Sequence, residues 1–115
     1  MIPMIPPVKH YLTPTIGRTV LYRLSADDAV KINKRRADAR ANLDNHRVAA
    51  NGVQIHVGNS ASEGQELPMV ITAVWGNTPD SLVNGQVALD GNDIFWATSV
   101  GAGEGPGTWS WPQRS

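Results

Sequence analysis

Apolar and polar residues alternate along much of this 115-residue chain, and the points where the alternation stops divide it into elements. Residues 18–24, RTVLYRL, set Val20, Tyr22 and Leu24 against Thr19, Leu21 and Arg23, the two-residue period of a strand rich in β-branched and aromatic side chains. Ser25-Ala26-Asp27-Asp28 follows with a helix-capping residue and two acids in a first turn, and predicts a helix over about 26–44. Ala29, Val30, Ala37 and Ala41 fall near one face of that helix, a thin apolar stripe suited to lying on a sheet. Val53 to Val57 alternates as a half-buried strand after the Asn51-Gly52 turn signal.

Leu67 to Gly76, LPMVITAVWG, is the most apolar run and reads as the central strand, with Met69, Ile71, Ala73 and Trp75 on one face, Val70, Thr72 and Val74 on the other, and Trp75 expected in the core. Val83 to Leu89 and Ile94 to Ser99 form a hairpin across Asp90-Gly91, and Thr108 to Trp111 is a candidate last strand. Five or six short strands with one helix inserted after the first predict an α+β, mainly β fold: a small, strongly bent sheet or partly open SH3-like barrel. Residues 1–16 carry Pro3, Pro6, Pro7 and Pro14 and read as a flexible proline-rich arm able to dock on a neighbouring subunit. Residues 17–115 then make a single β-rich domain.

Composition narrows the function classes. There is no cysteine, which excludes disulfides, thiolate metal sites and cysteine nucleophiles. No apolar run approaches the roughly 20 residues needed to span a bilayer, so a soluble protein without a membrane partner is expected. Formal net charge is zero, yet residues 31–47 hold six basic residues against two acids, a local +4 balanced by −4 elsewhere. That asymmetry suits a local anionic partner better than bulk nucleic acid, which goes with a basic domain overall.

Candidate chemistry is sparse. The Asp90-Gly91-Asn92-Asp93 stretch lacks the further oxygen ligands of a calcium loop and reads as a hairpin turn. Gly101, Gly103, Gly105 and Gly107 resemble a phosphate loop only superficially, because no Lys-Ser/Thr and no helix follow. His10, His46 and His56 are dispersed, and no acid/base pair is visible, so no catalytic residue, metal ligand or cofactor is assigned and a non-enzyme is expected. The tryptophans Trp96, Trp109 and Trp111 and the arginines Arg35, Arg36 and Arg40 remain: aromatic faces stack a base, arginines take phosphates, and a flap over 101–107 could close on them. An aromatic cluster that only closes a small core, beside a solvated basic helix face, is the competing interpretation.

The motifs GRTVLYRLSADDAVKINKRR (17–36), HVGN (56–59), VWG (74–76), and VNGQVALDGNDIFWATSV with GEGPGTWSWP near the end resemble a family of small uncharacterised proteins of tailed bacteriophages and prophages. The resemblance spans most of the chain from Gly17 onward and implies a phage setting without an activity. In that setting the arginine and tryptophan set implies a sponge-like accessory protein, a homo-oligomer in the cytoplasm of the infected bacterium. It would sequester a small anionic ligand such as a cyclic nucleotide used in host defence. The alternatives are a virion component, a capsid decoration or tail accessory whose arm docks on a neighbour, and an inhibitor of a host protein.

Overall fold

A computed structural model describes residues 12–44 and 56–113. The chain forms β1 (Thr19–Arg23), α1 (Ala26–Asp44), β2 (Glu66–Trp75), β3 (Leu82–Ala88), β4 (Ile94–Ala102) and β5 (Thr108–Ser110). The five strands close into a barrel in chain order. The fold is therefore α+β and mainly β, with one helix after the first strand, as the sequence predicts. The barrel is closed where a partly open one was a possibility, and short β5 is the reason. It pairs antiparallel with β1 (Tyr22↔Trp109) and parallel with β4 (Ala102↔Trp109), so the last strand removes both free edges.

Two irregularities let so few strands close. β2 carries one extra residue against β3 between Ile71 and Ala73, and β4 one extra against β3 between Ala97 and Val100. Such bulges bend a strand and increase its twist. Ser99, within the second, has φ 52° and donates its amide to Asn84 Oδ1 at 2.8 Å. The first bulge also overturns one expectation. Met69 and Ile71 point inward, but the extra residue reverses the alternation, so Val74 packs against the core opposite Val83 while Trp75 turns out and is 52% exposed. A strict two-residue period would have buried it.

Helix α1 starts with a reciprocal cap. Asp28 N donates to Ser25 Oγ at 3.1 Å, and Ser25 N donates to Asp28 Oδ2 at 3.0 Å. Tyr22 in β1 also donates its hydroxyl to Asp28, which ties the helix start to the strand before it. Burial, followed by the hydrogen bond to Asp28 and that carboxylate's charge, raises the Tyr22 phenol well above its ordinary value. The buried helix face is Ala29, Ile32, Arg36 and Ala39, not the expected set, for Val30, Ala37 and Ala41 face solvent. An arginine occupies a position where the helical period calls for an apolar side chain.

The core inside the barrel is built from Val20, Tyr22, Leu67, Met69, Ile71, Val83, Val87, Phe95, Ala97 and Trp109, with Ile32 of α1 closing it. Of the sequence-expected arm, residues 12–16 are described: Pro14 is buried and Leu12 lies against the core, while Ile16 is exposed. The rest of the arm, the start of the 53–57 strand, and the His10 and His46 positions lie outside the described residues. Of that strand the described part is irregular chain, with Gly58 bridged to Gly91.

Candidate functional site

The predicted site residues divide between the inside and the outside of the barrel. Trp109 is 1% exposed and Trp111 7%. Their rings meet edge to face, centroids 5.8 Å apart and planes at 90°. Each indole N–H is used: Trp109 Nε1 donates to Ser81 O at 3.2 Å and Trp111 Nε1 to Leu12 O at 3.1 Å. The Arg18 guanidinium lies 5.2 Å from the Trp111 ring centroid. As expected, the two tryptophans share a side; that side is the interior.

Arg36 is likewise committed. Its side chain is 5% exposed and that of Asp93 1%. Nη1 and Nη2 reach the two oxygens of Asp93 at 3.0 Å each, a bidentate pair. Nε donates to Asn59 O at 3.0 Å and Nη1 to His56 O at 3.3 Å. Arg35 adds a third arm through Nη1, at 3.2 Å from Asp93 Oδ2 and 2.8 Å from Ile94 O, with its guanidinium 5.5 Å from the Phe95 ring centroid. Burial alone would raise the Asp93 carboxyl, but the hydrogen bonds and charges of Arg36 and Arg35 outweigh it and hold that carboxyl below its usual value. His56 Nδ1 stands 3.7 Å from the same carboxylate.

This charged clamp fixes α1 and residues 56–61 to the β3–β4 turn. Asn33 extends it by exchanging two hydrogen bonds with Ala61, 2.7 and 2.9 Å. Gly58 and Gly91 approach so closely that a Cβ on either would lie 2.5 Å from backbone of the other segment, which explains why both are glycine. Among the described residues, the space beside Arg36 and Asn59 is about 10 Å³, enough for a single water at most.

Arginines and interior tryptophans do not converge. Trp109 reaches Ser81, before β3, whereas Arg35 and Arg36 reach Asp93, beyond its other end. A strand of seven residues separates those points by roughly 20 Å. A depression of about 200 Å³ lies beside Trp109 and Trp111, below the size usual for an organic ligand. The charged side chains among its lining residues are the carboxylates Asp80 and Glu104. A second groove past Trp111, of about 390 Å³, is large enough for a small organic ligand, but its lining pairs Arg23 with Glu66 and adds Glu104, so it offers an anion no unpaired arginine. Among the described residues no group of three or more His, Asp or Glu side chains is arranged to hold a metal, and no helix is long and apolar enough to cross a membrane.

Arg40 and Trp96 stand outside. Trp96 is 65% exposed on β4 and belongs to a surface that charge and exposure set apart. Apart from Glu66, the strands β2, β3 and β4 contain no charged residue. Their outer face carries the cross-strand row Val70–Gln86–Trp96, the pair Ala88–Ile94 beside it, and the pair Trp75–Leu82 at the far end. Val70 is 43% exposed, Ile94 49% and Leu82 46%. The sequence pattern alone places Trp75 inside and assigns no role to Val70, Leu82 or Ile94. The available signal is the absence of charge, Glu66 at the start of β2 apart, from both alternating sets of these three strands, which a barrel wetted on its outside does not need.

Comparison with protein-family models, with curated proteins and with solved structures finds no match to this chain.

Proposed function

We propose that this protein is a structural or accessory component of a phage particle, acting as a small docking module through the outer face of β2, β3 and β4. The observation that carries this reading is Trp96, a large aromatic side chain exposed on β4 beside Gln86 in a partly apolar wall whose cross-strand rows carry no charge. Exposed apolar patches of this kind mark interaction surfaces, and tryptophan is enriched among the residues that dominate binding between proteins. The resemblance to small proteins of tailed phages supplies the setting. Sequestration of an anionic nucleotide has less support: Arg36 is spent on Asp93, the interior tryptophans are spent on the core, and the depression beside them is lined by carboxylates.

Mass spectrometry of purified particles, with copy number from labelled reference peptides, tests the reading. A component of a particle is recovered at a fixed stoichiometry that survives repeated purification. Recovery only in the soluble lysate would overturn the reading and return the protein to the infected cytoplasm.

A further inference from the structure

Residues 56–59 are pinned against the β3–β4 turn. Val57 N donates to Asn92 Oδ1 at 3.0 Å, Asn92 N to Val57 O at 2.9 Å and Asn59 N to Asp90 O at 2.8 Å, around the Gly58–Gly91 bridge. The carbonyl of His56 also accepts from Arg36. The imidazole of His56 is thereby held against the buried Asp93 carboxylate from a fixed backbone. Its Nδ1 is buried without a hydrogen-bond partner, and no other buried side-chain nitrogen or oxygen among the described residues is left in that state.

The cause is the oxygen that Nδ1 faces. Asp93 Oδ2 already accepts from Arg36 Nη1 at 3.0 Å and from Arg35 Nη1 at 3.2 Å, while Oδ1 accepts from Arg36 Nη2. A carboxylate oxygen has two lone-pair sites, so Oδ2 is full, and His56 Nδ1 stops at 3.7 Å, beyond hydrogen-bond reach. In a neutral ring Nδ1 is either an acceptor facing an acceptor or a donor facing a filled oxygen. A protonated ring makes it a charged donor, and histidine is the side chain suited to take that proton between about pH 5 and 8. The ring is 39% exposed, so the proton comes from solvent.

Three cations then face one carboxylate, and the two arginines are unequally held. Arg36 is buried and would lose bonds to both Asp93 oxygens, to Asn59 O and to His56 O. Arg35 gives Asp93 a single hydrogen bond, and its side chain is 31% exposed, so water can replace what it loses. The remaining charged groups do not compensate. Asp90, on the same turn, is held by Asn59 Nδ2 at 2.8 Å; on α1, Lys34 and Asp38 pair with each other, and Arg40 is exposed.

We infer that His56 is a pH-sensitive switch in this clamp: its protonated ring takes Asp93 Oδ2 from Arg35 and releases that guanidinium towards solvent. Arg36 stays in place and the fold with it. What changes is the surface charge beside Ile94, whose carbonyl Arg35 also contacts and whose side chain belongs to the exposed wall. Acid therefore brings a free cation to the rim of that wall. The exchange is independent of what covers the wall.

NMR of the isotopically labelled full-length chain, stepped from about pH 8 to about pH 5, tests the switch. At the acid end a His56 Nδ1–H proton protected from solvent exchange is expected to appear. With the same midpoint the separate Nη signals of Arg35 are expected to shift and merge as its guanidinium is freed to rotate, while those of Arg36 stay apart. His56→Gln cannot take the proton and is expected to leave the Arg35 signals unchanged across the range. The shared midpoint is read in the unaltered chain, so the test stands even where that variant fails to fold. Absence of a protected Nδ1–H overturns the inference, as do Arg35 signals that ignore the His56 titration or an Arg35 change that persists in His56→Gln.

Discussion

Trp109 and Trp96 occupy neighbouring strands and face opposite sides of the same wall. The first is sealed, edge-on to Trp111, its N–H held by Ser81; the second stands in solvent among Val70, Gln86 and Ile94. The arginines of α1 divide in the same way, Arg36 being locked to Asp93 while Arg40 is exposed. Residues that look like one binding set along the chain thus do two different jobs. The inner members hold the fold together. The outer ones, Trp96 with Val70, Ile94, Trp75 and Leu82, form a surface to which the barrel itself gives no partner.

That division can be broken residue by residue, and the inner members carry the largest effects. Trp109→Ala should cost about 3–5 kcal/mol in denaturant unfolding, because it empties the strand that closes the barrel and frees Ser81 O. Arg36→Ala should cost on the order of 3–5 kcal/mol, since it removes the bidentate partner of a buried carboxylate. A loss below about 1 kcal/mol for either variant, the range of ordinary surface changes, would contradict its structural role.

Acid should act on the same clamp. The Asp93 carboxyl is depressed in the folded protein, so its stabilisation is complete above the unfolded value near 4 and is lost as pH falls through the lower folded value. Asp93→Asn should be less stable at neutral pH and should flatten this decline in denaturant titrations at stepped pH. The Tyr22 phenol has the opposite sign. It is raised, so its contribution is present below about pH 10 and is lost above it, and Tyr22→Phe should flatten the alkaline limb.

Trp96→Glu should change unfolding free energy by less than about 0.5 kcal/mol, as expected for an exposed position, while lowering recovery of the protein in purified particles. The smallest expected effect is that of nucleotides. A panel of cyclic dinucleotides should leave Tm unchanged, because a ligand stabilises only a state that binds it. A concentration-dependent rise would restore the nucleotide-binding interpretation.

Much of the fold was legible because short-range physics sets it. The Ser25–Asp28 cap marks the start of α1, and alternation delimits β1, β3 and β4. Alternation reveals which residues share a side and not which side is covered, so Trp109 and Trp111 could be paired but not placed. It also fails past a bulge, so a strict two-residue period places Trp75 inside where the extra residue at 71–73 turns it out. The Arg36–Asp93 clamp joins residues 57 positions apart, a pairing that no local pattern encodes. The exposed wall was legible only as a lack of charge along three strands.

The central claim is that Trp109 and Trp111 are sealed in the core of their own barrel while Trp96 stands on its outer face. Oxidative footprinting of the individual tryptophans, read by mass spectrometry on the full-length chain, addresses it directly. Trp96 should oxidise readily, with Trp109 and Trp111 protected until the chain is unfolded. Equal reactivity of the three in the folded protein, or ready oxidation of Trp109, would contradict the account.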